Sequence, residues 1–209
     1  NNEYIYILDS GLSGEDFKWF KQYGDKIRFI KSHIATEFKN GQDSADWTAT
    51  VVSKTIGLRA LIEQIKDVTP IVMIDADCLF LQEISSLIDM DKDIQICNRP
   101  AHDTPMLGSY VSINKVCMEF LEKWIETIPT INTPWKESPA LSKIYHEFKD
   151  KLEIGLIPEE IVSCYKPNKI TSDVKIVHFK SSATHATIEE SIQKRIYERG
   201  FEKEVEEYV

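Results

Sequence analysis

Two hydrophobic periods alternate along this chain, and they set out its elements in order. Residues 4–8 (Y-I-Y-I-L) are β-branched and aromatic and run into Asp9-Ser10-Gly11, which predicts a strand ending in a polar turn. Ser13-Gly14-Glu15-Asp16 has the spacing of a capping box, and Phe17 and Phe20 carry a helix onward. A second short strand is expected at 26–30, and the polar stretch 36–45, with Asn40-Gly41, reads as a loop. Leu58, Leu61, Ile62 and Ile65 fall at i, i+3, i+4 and i+7, so 53–66 is an amphipathic helix. Arg59 lies off that stripe.

Pro70 opens the stretch 71–81, I-V-M-I-D-A-D-C-L-F-L. A continuous apolar run of this kind suits a strand buried on both faces, as in the parallel part of an α/β sheet. An acidic turn at 89–93 precedes a short strand at 94–97. Residues 98–108 hold two prolines, His102 and Asp103 without periodicity, a loop long enough to line a site. A strand resumes at 110–113, and Asn114 is expected to cap a helix with the stripe Cys117, Phe120, Leu121 and Trp124. After a loop at 129–134, Ser138-Pro139 starts a helix that turns Leu141, Ile144, Tyr145 and Phe148 inward. Residues 156–158 and 161–165 read as short extended pieces. A late strand at 174–179 delivers His178 at its end, and Thr187-Ile188-Glu189-Glu190 opens a charged terminal helix.

Strands alternating with helices place the chain in the α/β class. Its 209 residues suit one domain and suffice to bury a sizeable core. A net charge of -9 with no dominant basic patch argues against nucleic acid as a partner. No stretch reaches the length of a transmembrane segment. Asp9 interrupts the early apolar run, so no signal peptide is expected and the location is expected to be cytoplasmic or cytosol-facing. The start at Asn1 is what a trimmed product or a piece of a longer protein would show. Cys78, Cys97, Cys117 and Cys164 lack zinc-site spacing and read as reduced core thiols.

Candidate chemistry gathers at Asp75 and Asp77. Asp-x-Asp recurs at Asp89/Asp91 and Asp91/Asp93, but there it sits in a polar turn, where solvated aspartate is ordinary. Only Asp75/Asp77 follows a buried strand, and unpaired carboxylates there call for a cation or a solvent-filled cleft. Carboxylate oxygens suit hard divalent ions, and an added imidazole shifts preference toward manganese from magnesium. Of the five histidines, His178 alone ends an apolar strand, either as a core residue or as a ligand.

From Thr55 through Leu87, with Arg59 on the helix and then V-M-I-D-A-D-C-L-F-L-Q-E-I-S-S-L, the chain resembles the donor-binding half of metal-dependent glycosyltransferases of the GT-A fold. It is most like the family-eight group that contains glycogenin and bacterial galactosyltransferases. The resemblance implies a single GT-A domain with a mixed, mainly parallel central sheet flanked by helices. About 1–100 would form the nucleotide-sugar half, about 101–187 the acceptor side, and 188–209 a terminal helix. It implies Mn2+ (or Mg2+) held by Asp75, Asp77 and His178, with Asp75, Ala76 and Asp77 against the diphosphate of a UDP-sugar. It also implies Arg59 on the donor, Leu8, Asp9 and Ser10 at the uridine edge, and Lys180 near the terminal phosphate. Base candidates are His102, Asp103 and Glu137, and the acceptor would be a carbohydrate or glycoprotein in glycan biosynthesis. The family's Asn-x-Gly segment falls near Gly108-Ser109-Tyr110 without its asparagine, and its Asp-Gln pair falls near Glu137-Ser138. Three rivals stand beside this expectation. A haloacid-dehalogenase-type phosphatase would want threonine where Leu79 stands. A sugar-phosphate nucleotidyltransferase would want cations in the loop after the first strand. A non-catalytic nucleotide-sugar-binding module would keep only the donor pocket.

Overall fold

A computed structural model gives the fold and describes residues 4–9, 12–31, 45–65, 69–133, 136–164 and 171–178. The expected terminal helix therefore lies outside the described residues, as do Ser10, Phe179, Lys180 and most of the 36–45 loop. The first unit is β1 (Ile5–Asp9), α1 (Gly14–Lys21) and β2 (Ile27–Lys31), with β1 and β2 parallel. The capping box forms as expected: Ser13 Oγ accepts from Asp16 N at 3.2 Å, and Ser13 N donates back to Asp16 Oδ2 at 2.7 Å. Phe17 and Phe20 of α1 pack on Phe29 of β2.

Next comes α2 (Ala45–Ile65), 21 residues long, which starts well before the expected residue 53 and includes Ala45. Val51, Thr55, Leu58, Leu61 and Ile62 are buried along it, as the helical period requires. Gly57 lets α2 close on β1, because a Cβ there would run into the side chain of Leu8.

The stretch 71–81 divides in two. Strand β3 (Ile71–Ile74) is followed by a turn at Ala76-Asp77, and β4 (Cys78–Phe80) then pairs elsewhere. β5 (Ile94–Asn98), β6 (Met106–Ile113) and β7 (Ile154–Pro158) complete a sheet of order β3-β6-β5-β7. β4 pairs with β8 (Ile176–His178) in a separate two-stranded ribbon. The sheets are mixed, as expected, but β3 and β5 both pair antiparallel with β6, and only β5–β7 runs parallel in the four-stranded sheet. Parallel pairing therefore does not dominate among the described strands. The reason is local: the 98–108 loop is shortened by the early start of β6, and so short a connection from β5 returns the chain as a hairpin. β3 itself is half-buried rather than buried on both faces.

α3 (Met118–Thr127) and α4 (Glu137–Phe148) pack with α2 on one face of this sheet. Ile94, Ile96, Val111 and Ile113 point there and meet Leu58, Phe120, Trp124, Leu141 and Ile144. Cys97, Leu107 and Tyr110 share the second core with Ile157, Val162 and Ile176. All eight residues of β6 are buried, which is why its sequence shows no alternation. Burial raises the Tyr110 hydroxyl to a pKa of about 12, with Cys97 adding to the effect.

Three further expectations are corrected. Asn114 does not cap α3, where Cys117 takes the N-cap position; its buried amide donates instead to Asp89 O at 2.8 Å and Gln95 Oε1 at 3.0 Å. That network is worth more to Asn114 than a cap, because its polar atoms are buried. α4 begins at Glu137, with Pro139 third. Residues 159–162 form a short helix, α5 (Glu159–Val162), which takes the first two residues of the extended piece expected at 161–165.

Candidate functional site

β3 alternates its side chains between the two cores, with Ile71 and Met73 toward α2 and Val72 and Ile74 away from it. The next residue in phase, Asp75, therefore faces α2. There Lys54 Nζ meets Asp75 Oδ1 at 2.6 Å and Glu137 Oε1, from the start of α4, at 2.5 Å. Lys54 also donates to Gly108 O at 3.3 Å. Sequence reading missed Lys54, yet a signal existed: it lies three residues after Val51 and four before Leu58, so it is a lysine on an apolar stripe.

A bulge in β6 shapes the floor. Ile96 pairs with Val111 but Cys97 with Leu107, so Gly108, Ser109 and Tyr110 lie opposite no residue of β5. The bulge gives Gly108 O to Lys54 and Ser109 O to the backbone N–H of Asp75 at 3.3 Å. A side chain at Gly108 would collide with Glu137, so glycine is what lets that carboxylate lie flat on the strand.

His178 arrives from β8. Its Nε2 stands 3.2 Å from Asp77 Oδ1 and 3.7 Å from Asp75 Oδ2. Behind it, Nδ1 lies 2.9 Å from Ser163 Oγ, and Ser109 Oγ donates to Ser163 Oγ at 2.9 Å. This buried hydroxyl chain fixes the ring so that Nε2 faces the aspartates. Ser109 thus holds Asp75 through its carbonyl and His178 through its hydroxyl. Cys78 is the direct cross-strand partner of His178, and ligand atoms of Asp77, Cys78 and His178 all lie within 4.8 Å of one another.

The electrostatics follow from two carboxylates on one lysine and a third, Asp77, on the imidazole of His178. Burial alone would lower the Lys54 pKa, but Asp75 and Glu137 reverse that and hold the ammonium protonated above the ordinary lysine range. Burial pushes the Glu137 carboxyl up; Lys54 opposes this, and the charge of Asp75 reinforces it. Burial also acts to raise Asp77, yet the hydrogen bond and charge of His178 outweigh it and leave the carboxyl below its usual value. Negative charge remains in excess, and a divalent cation would offset it. The donor set fits such an ion: carboxylate oxygens and an imidazole whose far nitrogen is already anchored.

The remaining candidates are more scattered. Arg59, its side chain 39% exposed, pairs with Glu63 at 3.5 Å, and none of the hydrogen bonds or ion pairs among the described residues ties it to the cluster. Leu8, next to last in β1, lies against Gly57, and Asp9 accepts from Leu12 N at 2.8 Å. His102 and Asp103 are exposed in a loop that Arg99 closes with two bonds to Thr104 at 3.0 Å. Asp89 and Asp91 lie at the surface as expected, whereas Asp93 is tied to Lys115 at 2.9 Å and to Glu153 N at 2.9 Å. None of the four cysteines is joined in a disulfide, and Cys97 and Cys164 are buried.

The architecture matches solved structures. A glycosyltransferase involved in the glycosylation of the major capsid of PBCV-1 superposes with a TM-score of 0.58, over 91% of this chain and 99% of that one, at 13% identity. An active-site variant of LgtC gives a TM-score of 0.50 over 91% and 83%, at 14% identity. The fold is of the GT-A type. The galactosyltransferase LgtC in complex with donor and acceptor sugar analogs gives 0.47 over 86% and 77%, at 14% identity. At these identities the likeness is one of fold. No family model and no curated protein matches the sequence. Among the described residues no helix is long and apolar enough to cross a membrane.

Proposed function

We propose that this chain is a glycosyltransferase, moving a sugar from a nucleoside-diphosphate donor, a UDP-sugar, to a hydroxyl of a carbohydrate or glycoprotein acceptor. One observation carries the reading: Asp77 and Asp75 converge on His178 Nε2, at 3.2 and 3.7 Å, at the strand ends of a GT-A sheet. Ligands of open α/β sheets bind at such ends. Asp77, His178 and the Asp75 oxygen that Lys54 leaves uncovered would hold Mn2+ or Mg2+. When bound, the ion supplies Lewis-acid stabilisation of the diphosphate's charge.

The chain's own residues do the rest. The turn Asp75-Ala76-Asp77 and the end of β1 at Leu8 and Asp9 frame the donor. Lys54 and Glu137 set an ammonium beside a carboxylate, a pairing that donates to and accepts from sugar hydroxyls. Of the base candidates, Glu137 alone lies against the cluster among the described residues, and its raised pKa makes it a better proton acceptor than an ordinary carboxylate.

A thermal-shift panel of UDP-, GDP- and dTDP-sugars with and without Mn2+ tests this. A ligand at 100 times its Kd adds about 2.7 kcal/mol to stability, so donor and metal dependence appear together. If Asp77→Asn binds UDP equally well with and without Mn2+, the reading is wrong. Glu137 is locked to Lys54, and this favours a second reading, a non-catalytic nucleotide-sugar-binding module. Incubation of a UDP-sugar with the Mn2+-loaded protein separates the two, because the module releases neither free sugar nor UDP.

A further inference from the structure

We propose that Cys78 opens this site to thiophilic divalent cations: Zn2+ or Co2+ binds through Asp77, Cys78 and His178, in competition with the harder ion of the sugar-transfer reading. The inference rests on the assignment of Asp77 and His178 as metal ligands and adds the thiol to them.

Three features of the site lead there. Lys54 already occupies Asp75 Oδ1 at 2.6 Å, so Asp75 comes to an ion with one oxygen partly committed. Cys78 and His178 are paired across β4 and β8 and therefore share a face. The resulting oxygen, sulfur and nitrogen atoms lie within 4.8 Å of one another. Around a tetrahedral zinc, with bonds of about 2.0 to 2.3 Å, such atoms stand roughly 3.4 to 3.6 Å apart. The remaining gap is small enough for side-chain rotation to close. Ser163 holds the far ring nitrogen of His178, so the imidazole needs no reorientation.

The chemistry of the set decides the cation. Thiolate with imidazole selects zinc and cobalt over manganese and magnesium, and three protein ligands leave a fourth position for water. On binding, the metal–sulfur bond replaces the S–H bond and the proton leaves to solvent, with no change of oxidation state. Zinc then sits on two of the residues that manganese requires.

Co2+ alone is the probe, titrated into the purified chain and followed by absorption spectroscopy. Bound cobalt is expected to give a sulfur-to-cobalt charge-transfer band and the intense visible bands of a four-coordinate ion. Cys78→Ser should lose the charge-transfer band, whereas Cys117→Ser, at the other half-buried thiol, should keep it. Zn2+ should displace Mn2+ from the wild-type chain, read by the paramagnetic resonance of released Mn2+. In Cys78→Ser, zinc affinity should fall by more than manganese affinity does. Cobalt bound by the wild type without a charge-transfer band overturns the inference, as does a band that survives Cys78→Ser. The wild-type spectrum decides even if a variant folds poorly. Manganese binding with no sulfur signal leaves the sugar-transfer site standing and removes only the thiol. Failure to bind either ion removes both.

Discussion

Removing the cation between two carboxylates gives the sharpest test of how this site is built. In Lys54→Met, Asp75 and Glu137 lose a shared partner at 2.6 and 2.5 Å, while the methylene stem stays largely filled. Breaking a fully buried pair costs about 3–5 kcal/mol, because a charge is left without compensation. Here the three side chains are 21%, 24% and 17% exposed, so solvent screens part of that. The expected loss is about 2–4 kcal/mol, or roughly 5–12 °C in Tm for a chain of this size. Urea unfolding at about pH 7 without metal measures it. The ammonium, held above its ordinary 10.5, contributes fully below that pH and loses its contribution as pH rises through the folded value. Glu137 works in the opposite sense. Its carboxyl is raised above 4.5, so acidification favours the fold, and lowering the pH to about 5 should recover part of the Lys54→Met loss. Adding Glu137→Gln to Lys54→Met removes the second charge and should restore at least about 1 kcal/mol, a coupling typical of contacting groups. Mn2+ should stabilise the single variant more than the wild type, since the uncompensated charge is greater. A loss below about 1 kcal/mol, or no coupling with Glu137→Gln, would refute the ion-triad argument.

Two other substitutions probe the parts that hold the cluster. Gly108→Ala places a methyl against the Glu137 side chain and should cost about 1–3 kcal/mol as an overpacked contact, measured by thermal unfolding; wild-type stability would mean that Glu137 does not lie on the bulge. Ser163→Ala removes the hydroxyl behind His178 Nδ1 and should weaken Mn2+ binding about 10- to 100-fold, read by titration calorimetry, with the circular dichroism spectrum unchanged. An unaltered affinity would show that the hydroxyl chain does not orient the ring.

The sequence by itself determined the elements whose signals are local. The β1–α1–β2 unit with its capping box, the stripe of α2, the core faces of α3 and α4, and the strand that delivers His178 all follow from periodicity and short-range bonds. It also singled out Asp75 and Asp77 from two other Asp-x-Asp pairs by the apolar strand before them. What needed the tertiary structure was every relation between distant segments. Lys54 could be noticed as a misfit on its stripe, but its two partners, 21 and 83 positions away, come from a strand end and a helix start that only packing brings together. Asn114 had the residue type of a cap, and a buried amide network with Gln95 took it instead. Ser109 and Ser163 carry no pattern at all, since a hydroxyl chain behind a histidine leaves no trace in spacing. The antiparallel run of β6 and its bulge decided where the carbonyls of Gly108 and Ser109 point. Local propensity fixes which segments are helix or strand. The geometry of a site depends on long-range contacts whose energies no short window of sequence contains.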